Sequence, residues 1–199
     1  MRIIEVAQST PEWFAARCGV PTASAFDQII DTSGKPSKSR EKYLYKLAGE
    51  RVTGKVEETY QNAAMQRGKE LEAEARQFYE LTNGVTVDQV GFCVTEGKTV
   101  YGASPDGFVG KDGLLEIKCP LIYTHVGYLL AGEFPTAYFQ QTQGQLLVTG
   151  RKWLDFCSYF PGLKPLVIRI TPDPKFQKAL AVELELFCNE LAAIVEKLK

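Results

Sequence analysis

Ser104-Pro-Asp-Gly-Phe-Val-Gly-Lys-Asp-Gly-Leu-Leu-Glu-Ile-Lys-Cys-Pro120 reads as a strand, a glycine-rich turn and a second strand, and it carries Asp106, Glu116 and Lys118. Side chains alternate along a strand, so Glu116 and Lys118 share one face and Ile117 takes the other. Their neighbours, Leu114-Leu115 and Cys119-Pro120, belong to a core strand. Charge is rare in such a place unless it is paired or bound to a metal. Two carboxylates offer hard oxygen ligands to Mg²⁺ or Mn²⁺. A lysine on the same face can orient or deprotonate a water and offset charge building on phosphorus. Divalent-metal phosphodiester hydrolysis is one reading of Asp-x9-Glu-x-Lys; a structural ion pair is the other.

Register decides between them. A two-residue loop at Lys111-Asp112 would set Asp106 opposite Ile117, on the wrong face. A three-residue loop, or a bulge near Gly107 or Gly110, would bring it beside Glu116 or Lys118. One of these irregularities is expected.

Upstream, Ser9-Thr-Pro-Glu12 has the pattern of a capping box with proline in the first turn, opening a short helix to Arg17 that Gly19 ends. Thr22 is the expected N-cap of a second helix, with Ser24 in its first turn, where free N–H groups and the dipole favour an anion. Arg17 can add a charge-assisted contact to the same anion, or be a plain surface residue while Ser24 only helps the cap. A helix from Ser39 to about Val52 follows. Lys35 to Lys55 holds seven basic residues and two acidic ones, which is either a solvated helix face or a phosphate-facing flank. The next helix runs from about Thr59 to Leu81, with an apolar stripe of Ala64, Leu71, Ala75, Phe78 and Tyr79. Glu72 lies on the edge of that stripe and is the glutamate best placed to reach inward.

Val85–Thr95 and Thr99–Ala103 read as strands joined at Glu96-Gly-Lys98. Beyond the central hairpin come a short helix over Tyr123–Leu130 and another opened by Pro135-Thr136. The latter carries Tyr138, Gln140, Gln141, Gln143 and Gln145. Its amides suit either contacts to a polymer backbone or a bland polar face. Trp153–Phe160 and Pro165–Thr171 are further strands, and Asp173–Lys199 is an amphipathic helix with Phe176, Leu180, Leu184 and Phe187 on one side. The order fits one α/β (α+β) domain over residues 1–199, built on a central mixed sheet flanked by helices. Its parts are N-terminal helices at 9–82, a sheet-and-helix region at 85–171, and a C-terminal helix at 173–199.

Composition narrows the chemistry. The single histidine, His125, removes His-rich metal sites and Ser-His or Cys-His catalysis. Five scattered cysteines without a C-x-x-C pair argue against zinc and iron–sulfur sites and for buried free thiols. With 23 basic against 24 acidic residues, no global attraction to nucleic acid is visible. No apolar run approaches the ~20 residues of a membrane span, and the N-terminus lacks the features of a signal peptide, so the cytosol is the expected compartment.

Several motifs in order resemble the PD-(D/E)XK nucleases, and within them the YqaJ-like viral recombinases of the phage lambda alkaline exonuclease type. They are Thr10-Pro-Glu-Trp13 with Arg17-x-Gly19 and Thr22-Ala-Ser24, then Arg67-Gly-Lys-Glu-Leu-Glu72 with Ala75. Ser104-Pro-Asp-Gly107, Leu115-Glu-Ile-Lys-Cys-Pro120, Tyr138-x-x-Gln141-x-Gln143 and Trp153-x-x-Phe156-x-x-Tyr159 complete a likeness over about residues 8–160. The resemblance implies the restriction-endonuclease-like core and metal binding by Asp106, Glu116 and the Ile117 carbonyl, with Lys118 catalytic. It implies that Glu72 is an additional acidic residue and Gln141 an active-site glutamine. Arg17, Ser24 and Ser104 match positions that hold a DNA 5′-phosphate. The implied enzyme is a Mg²⁺-dependent (Mn²⁺ as an option) 5′→3′ exonuclease on double-stranded DNA that leaves 3′ overhangs for single-strand annealing, with no organic cofactor. It further implies a homotrimeric ring working beside an annealing protein, phage- or prophage-encoded, in the bacterial host cytoplasm. An endonuclease or repair nuclease without 5′-end selectivity is the nearest alternative, and a DNA-binding assembly subunit that keeps only the fold is the non-enzymatic one.

Overall fold

Leu114, Leu115, Glu116 and Ile117 are all buried, so the strand they form is covered on both faces. The computed structural model describes residues 1–56 and 63–199. The chain begins with β1 (Arg2–Ile4), α1 (Pro11–Arg17), a 3₁₀ turn (Ala23–Gln28) and α2 (Arg40–Thr53). Helix α3 (Ala63–Asn83) leads to β2 (Val87–Asp88), β3 (Phe92–Val94), β4 (Gly102–Ala103), β5 (Gly107–Val109) and β6 (Gly113–Lys118). Then come α4 (Ile122–Ala131), a second 3₁₀ turn (Thr136–Tyr138), α5 (Phe139–Thr149), β7 (Trp153–Ser158), β8 (Leu166–Ile170) and α6 (Pro174–Leu198).

Five strands form a mixed sheet in the order β2-β5-β6-β7-β8, with β6 and β7 parallel and the other pairs antiparallel. Parallel neighbours need a crossover, which α4 and α5 supply. Alternation along β6 splits its contacts. Leu115 and Ile117 pack with Ala75 and Tyr79 of α3, while Leu114 packs with Leu146 of α5, Leu154 and Phe156. A third apolar cluster joins Phe26, Ile29 and Ile30 to Tyr43, Leu44 and Leu47 of α2 and to Leu180, Leu184 and Phe187 of α6. This is the mixed α/β domain that the order of motifs implied.

Several local expectations change. The cap of α1 is Thr10, whose hydroxyl accepts from the Trp13 N–H, and Ser9 takes a left-handed conformation at φ 66°. The segment after Thr22 is a 3₁₀ turn broken at Ala25, and the Thr22 hydroxyl does not cap it. Val85–Thr95 is two short strands in different sheets. Strand β3 pairs with β1, which the sequence reading did not contain, while β2 pairs with β5. Gly91 permits the split: a Cβ there would lie 2.3 Å from the Ile4 carbonyl oxygen and 2.5 Å from that of Val6. The expected start of α3 near Thr59 lies outside the described residues, as does the side chain of Ala64. Phe78 of its stripe is exposed and leans on Tyr159. Cys93, Cys157 and Cys188 are buried free thiols, but Cys18 and Cys119 are only half-buried.

Candidate active site

The hairpin turn is Gly110-Lys111-Asp112, a three-residue loop with Gly110 at φ 53°. It pairs Gly107 with Leu115, and continuing that register by one residue sets Asp106 opposite Glu116. The Asp106 N–H donates to the Leu115 carbonyl at 3.1 Å, and its Oδ2 accepts from the Ile117 N–H at 2.6 Å. Lys118 Nζ donates to Glu116 Oε1 at 2.5 Å. Asp106, Glu116 and Lys118 are thus brought together, as the register argument required.

Their electrostatics are those of a site short of positive charge. Burial raises the Asp106 pKa well above the usual carboxylate range, the charges of Glu116 and Glu72 add to it, and Lys118 only partly opposes them. Burial works against the Lys118 ammonium, but the Glu116 and Asp106 carboxylates outweigh it and hold its pKa above the ordinary lysine value. Lys118 is therefore a cation here and not a ready base.

Among the described residues, no three His, Cys, Asp or Glu side chains gather as a metal-binding group. The available set is two carboxylates with the Ile117 carbonyl. That fits Mg²⁺, which keeps several waters and needs few protein ligands. A divalent cation would also relieve the charge conflict at Asp106.

Helix α5 supplies the rest. Gln141 Nε2 donates to Glu116 Oε1 at 2.5 Å, and Gln145 Nε2 donates to Glu116 Oε2 at 2.6 Å. The sequence reading did not single out Gln145. Its i,i+4 spacing from Gln141 was the available signal, since such residues share a helix face. Neither a polymer-facing row nor a bland polar face describes these amides. Gln140 donates to the Ile30 carbonyl and Gln143 to that of Thr171, and Gln140, Gln143 and Gln145 are all buried.

The second cluster centres on Arg17. Its Nη1 donates to Ser104 Oγ at 3.0 Å, and its Nη2 donates to Thr22 Oγ1 at 3.2 Å and to Ser24 Oγ at 3.4 Å. Trp13 lies 4.0 Å from the guanidinium carbon and donates its own Nε1–H to Ser104 at 3.1 Å. All of Arg17's hydrogen bonds among the described residues go to neutral hydroxyls. Burial lowers its pKa to about 10, against smaller opposing effects of Tyr43 and Glu50. Trp13, Arg17, Thr22 and Ser24 line an open cleft of about 440 Å³ together with Lys46 and Glu50, which lie 3.9 Å apart. Of the basic run, Lys46 thus faces this cleft. Arg40 pairs with Glu190, and Arg51 holds the Gly19 carbonyl.

Glu72 stands apart. It pairs with Arg76 at 2.8 Å and lines a different cleft, of about 640 Å³, with Glu5–Ser9 and Gln89–Gly91. Its charge reaches Asp106, but no hydrogen bond joins them. His125 is fully buried between Ser158 Oγ and the Lys164 carbonyl, a structural placement. No helix among the described residues is long and apolar enough to cross a membrane.

Residues 12–152 match the YqaJ-like viral recombinase domain. Among solved structures, the chain is similar to an alkaline exonuclease, LHK-Exo, from Laribacter hongkongensis. Identity is 40% over 95% of this chain and 96% of that one, with a TM-score of 0.86. The same exonuclease in complex with dAMP superposes with a TM-score of 0.87, over 96% of both chains. A phage-related exonuclease from Haemophilus somnus shares the fold at a TM-score of 0.69 and 15% identity, over 90% of this chain and 96% of that one. No curated protein matches the sequence.

Proposed function

The chain belongs to the YqaJ-like viral recombinase family, and from that premise we propose that it is a Mg²⁺-dependent 5′→3′ exonuclease of double-stranded DNA. It digests the 5′-ended strand and leaves a 3′ overhang for recombination by single-strand annealing. One observation carries the reading. Arg17 is a half-buried cation hydrogen-bonded to neutral hydroxyls, and its partner Ser104 lies two residues from Asp106. A terminal 5′-phosphate supplies the missing counter-charge there and sets the next phosphodiester at the hairpin. The alkaline exonuclease relative, seen with dAMP, supports a nucleotide-sized ligand.

Asp106, Glu116 and the Ile117 carbonyl would hold the metal, which supplies Lewis-acid polarisation of the scissile phosphate and an activated water. Lys118 presents an ammonium that offsets charge on the phosphorus oxygens. A cation held by Glu116 would weaken the Coulombic hold on Lys118, which would then be free to pass or accept a proton at the attacking water. Gln141 keeps Glu116 aimed at the site. Glu72 acts from its neighbouring cleft, through its charge on Asp106. The proposed working form is a homotrimeric ring beside an annealing protein, in a bacterial cytoplasm and encoded by a phage or prophage.

Linear duplex carrying a label at either the 5′ or the 3′ end tests this, with and without Mg²⁺. Early release of the 5′ label, Mg²⁺ dependence and preference for 5′-phosphorylated ends are expected. Equal digestion of phosphorylated and hydroxyl ends, or cutting of circular duplex, favours an endonuclease. DNA binding without cleavage at any metal concentration favours an assembly subunit.

A further inference from the structure

We infer that Gln145 is a positioning residue that fixes which oxygen of Glu116 is offered to the cation, an inference that rests on the metal-dependent reading above. The two oxygens of Glu116 are divided between different neighbours. Oε1 receives Lys118 Nζ and Gln141 Nε2, whose side chains are both half-buried. Oε2 receives Gln145 Nε2 at 2.6 Å, and Gln145 is 1% exposed. Gln145 therefore holds the carboxylate from the protein interior and leaves Oε1 on its less buried side. The terminal torsion of a glutamate is broad and roughly two-fold, so nothing in the covalent geometry fixes the plane of the carboxylate. Hydrogen bonds from both ends do.

The other half of the Gln145 amide argues that packing does not explain it. Its Oε1 is buried with no hydrogen-bond partner among the described residues. An unsatisfied buried acceptor costs stability that a thioether of similar length would not incur. Turning the amide over gains nothing, because it would set oxygen against carboxylate oxygen. The residue is thus held in one orientation, as a donor to Glu116. Its backbone is equally constrained. The Gln145 carbonyl accepts from Thr149 Oγ1, and the preceding Gly144 lies against the Phe26 ring. Groups that orient a metal ligand from behind tune its affinity, typically by about 10- to 100-fold.

The test uses the full chain, with Mn²⁺ alone as the probe. Calorimetric titration without DNA compares the parent with Gln145→Met, which keeps length and loses the donor. Gln143→Met is the control: it removes a buried amide from the same helix, one bonded to the Thr171 carbonyl and the Asp173 N–H and not to Glu116. Gln145→Met is expected to bind Mn²⁺ about 10-fold more weakly or worse. Its kcat on linear duplex should fall and recover in part at high Mn²⁺, with KM for DNA ends unchanged; Gln143→Met should keep the parent affinity. If the Met variant does not fold, Gln145→Ser, which leaves room for water, repeats the measurement. Unchanged Mn²⁺ affinity in the Gln145 variant, equal loss in both variants, or a parent that binds no Mn²⁺ overturns the inference. A parent that binds Mn²⁺ yet digests no DNA overturns the exonuclease reading instead, and the titration still decides the role of Gln145.

Discussion

The pKa values of Asp106 and Lys118 are both raised: Asp106 chiefly by burial, with the charges of Glu116 and Glu72 adding to it, and Lys118 by the Glu116 and Asp106 carboxylates, which outweigh its burial. The folded Asp106 binds its proton more tightly than an unfolded carboxylate does. Its contribution to stability is therefore present at acid pH and lost as pH rises through the raised value. Metal must displace that proton, so the rise in melting temperature caused by Mg²⁺ should grow from acid to alkaline pH. A Mg²⁺ effect that is constant with pH would show that Asp106 is not a ligand. Lys118→Ala should lower cleavage by orders of magnitude while DNA binding survives; a variant that cuts as fast as the parent removes Lys118 from the mechanism. At the other cluster, the depressed Arg17 pKa is a standing cost at neutral pH, where the guanidinium is charged and is hydrogen-bonded only to neutral hydroxyls among the described residues. Inorganic phosphate should therefore raise the melting temperature of the parent and not of Arg17→Ala, and that variant should lose its preference for 5′-phosphorylated ends.

Two elements carry the geometry. The β5–β6 hairpin converts loop length into function, because one residue of register moves Asp106 from the face of Glu116 to that of Ile117. That dependence is legible in the sequence, and the three-residue loop with left-handed Gly110 satisfies it. Helix α5 was less legible. Its glutamines read as a polar face, yet three of them are buried because a burial pattern is set by what packs around a helix. One side of α5 holds Glu116 through Gln141 and Gln145, and another seats Gly144 against the turn that carries Ser24. A Cβ at Gly144 would lie 2.4 Å from Phe26 Cδ2 and 3.2 Å from the Ala23 Cβ. Gly144→Ala should thus destabilise the fold by about 1–3 kcal/mol, as measured by denaturant unfolding. A variant as stable as the parent would mean that the 3₁₀ turn yields freely and that α5 does not set its position.

For the whole molecule, the balance of 23 basic and 24 acidic residues hides a local asymmetry. Arg17 and Lys46 face one cleft against a single acidic lining residue, Glu50. A ring of three chains would gather such clefts around a common channel. Sedimentation of the native protein should then give three times the 22.1 kDa chain mass, and a monomer at working concentration would remove the ring from the proposal. Sequence alone determined the mixed α/β class and the hairpin with its Asp-x9-Glu-x-Lys, because strand alternation, turn chemistry and motif spacing are local along the chain. Tertiary structure decided the rest. It split Val85–Thr95 between two sheets, turned the α5 amides inward, set Glu72 in a separate cleft, and placed Gln145 behind Glu116. Each of these depends on which distant segment covers a surface, and no short-range pattern encodes that.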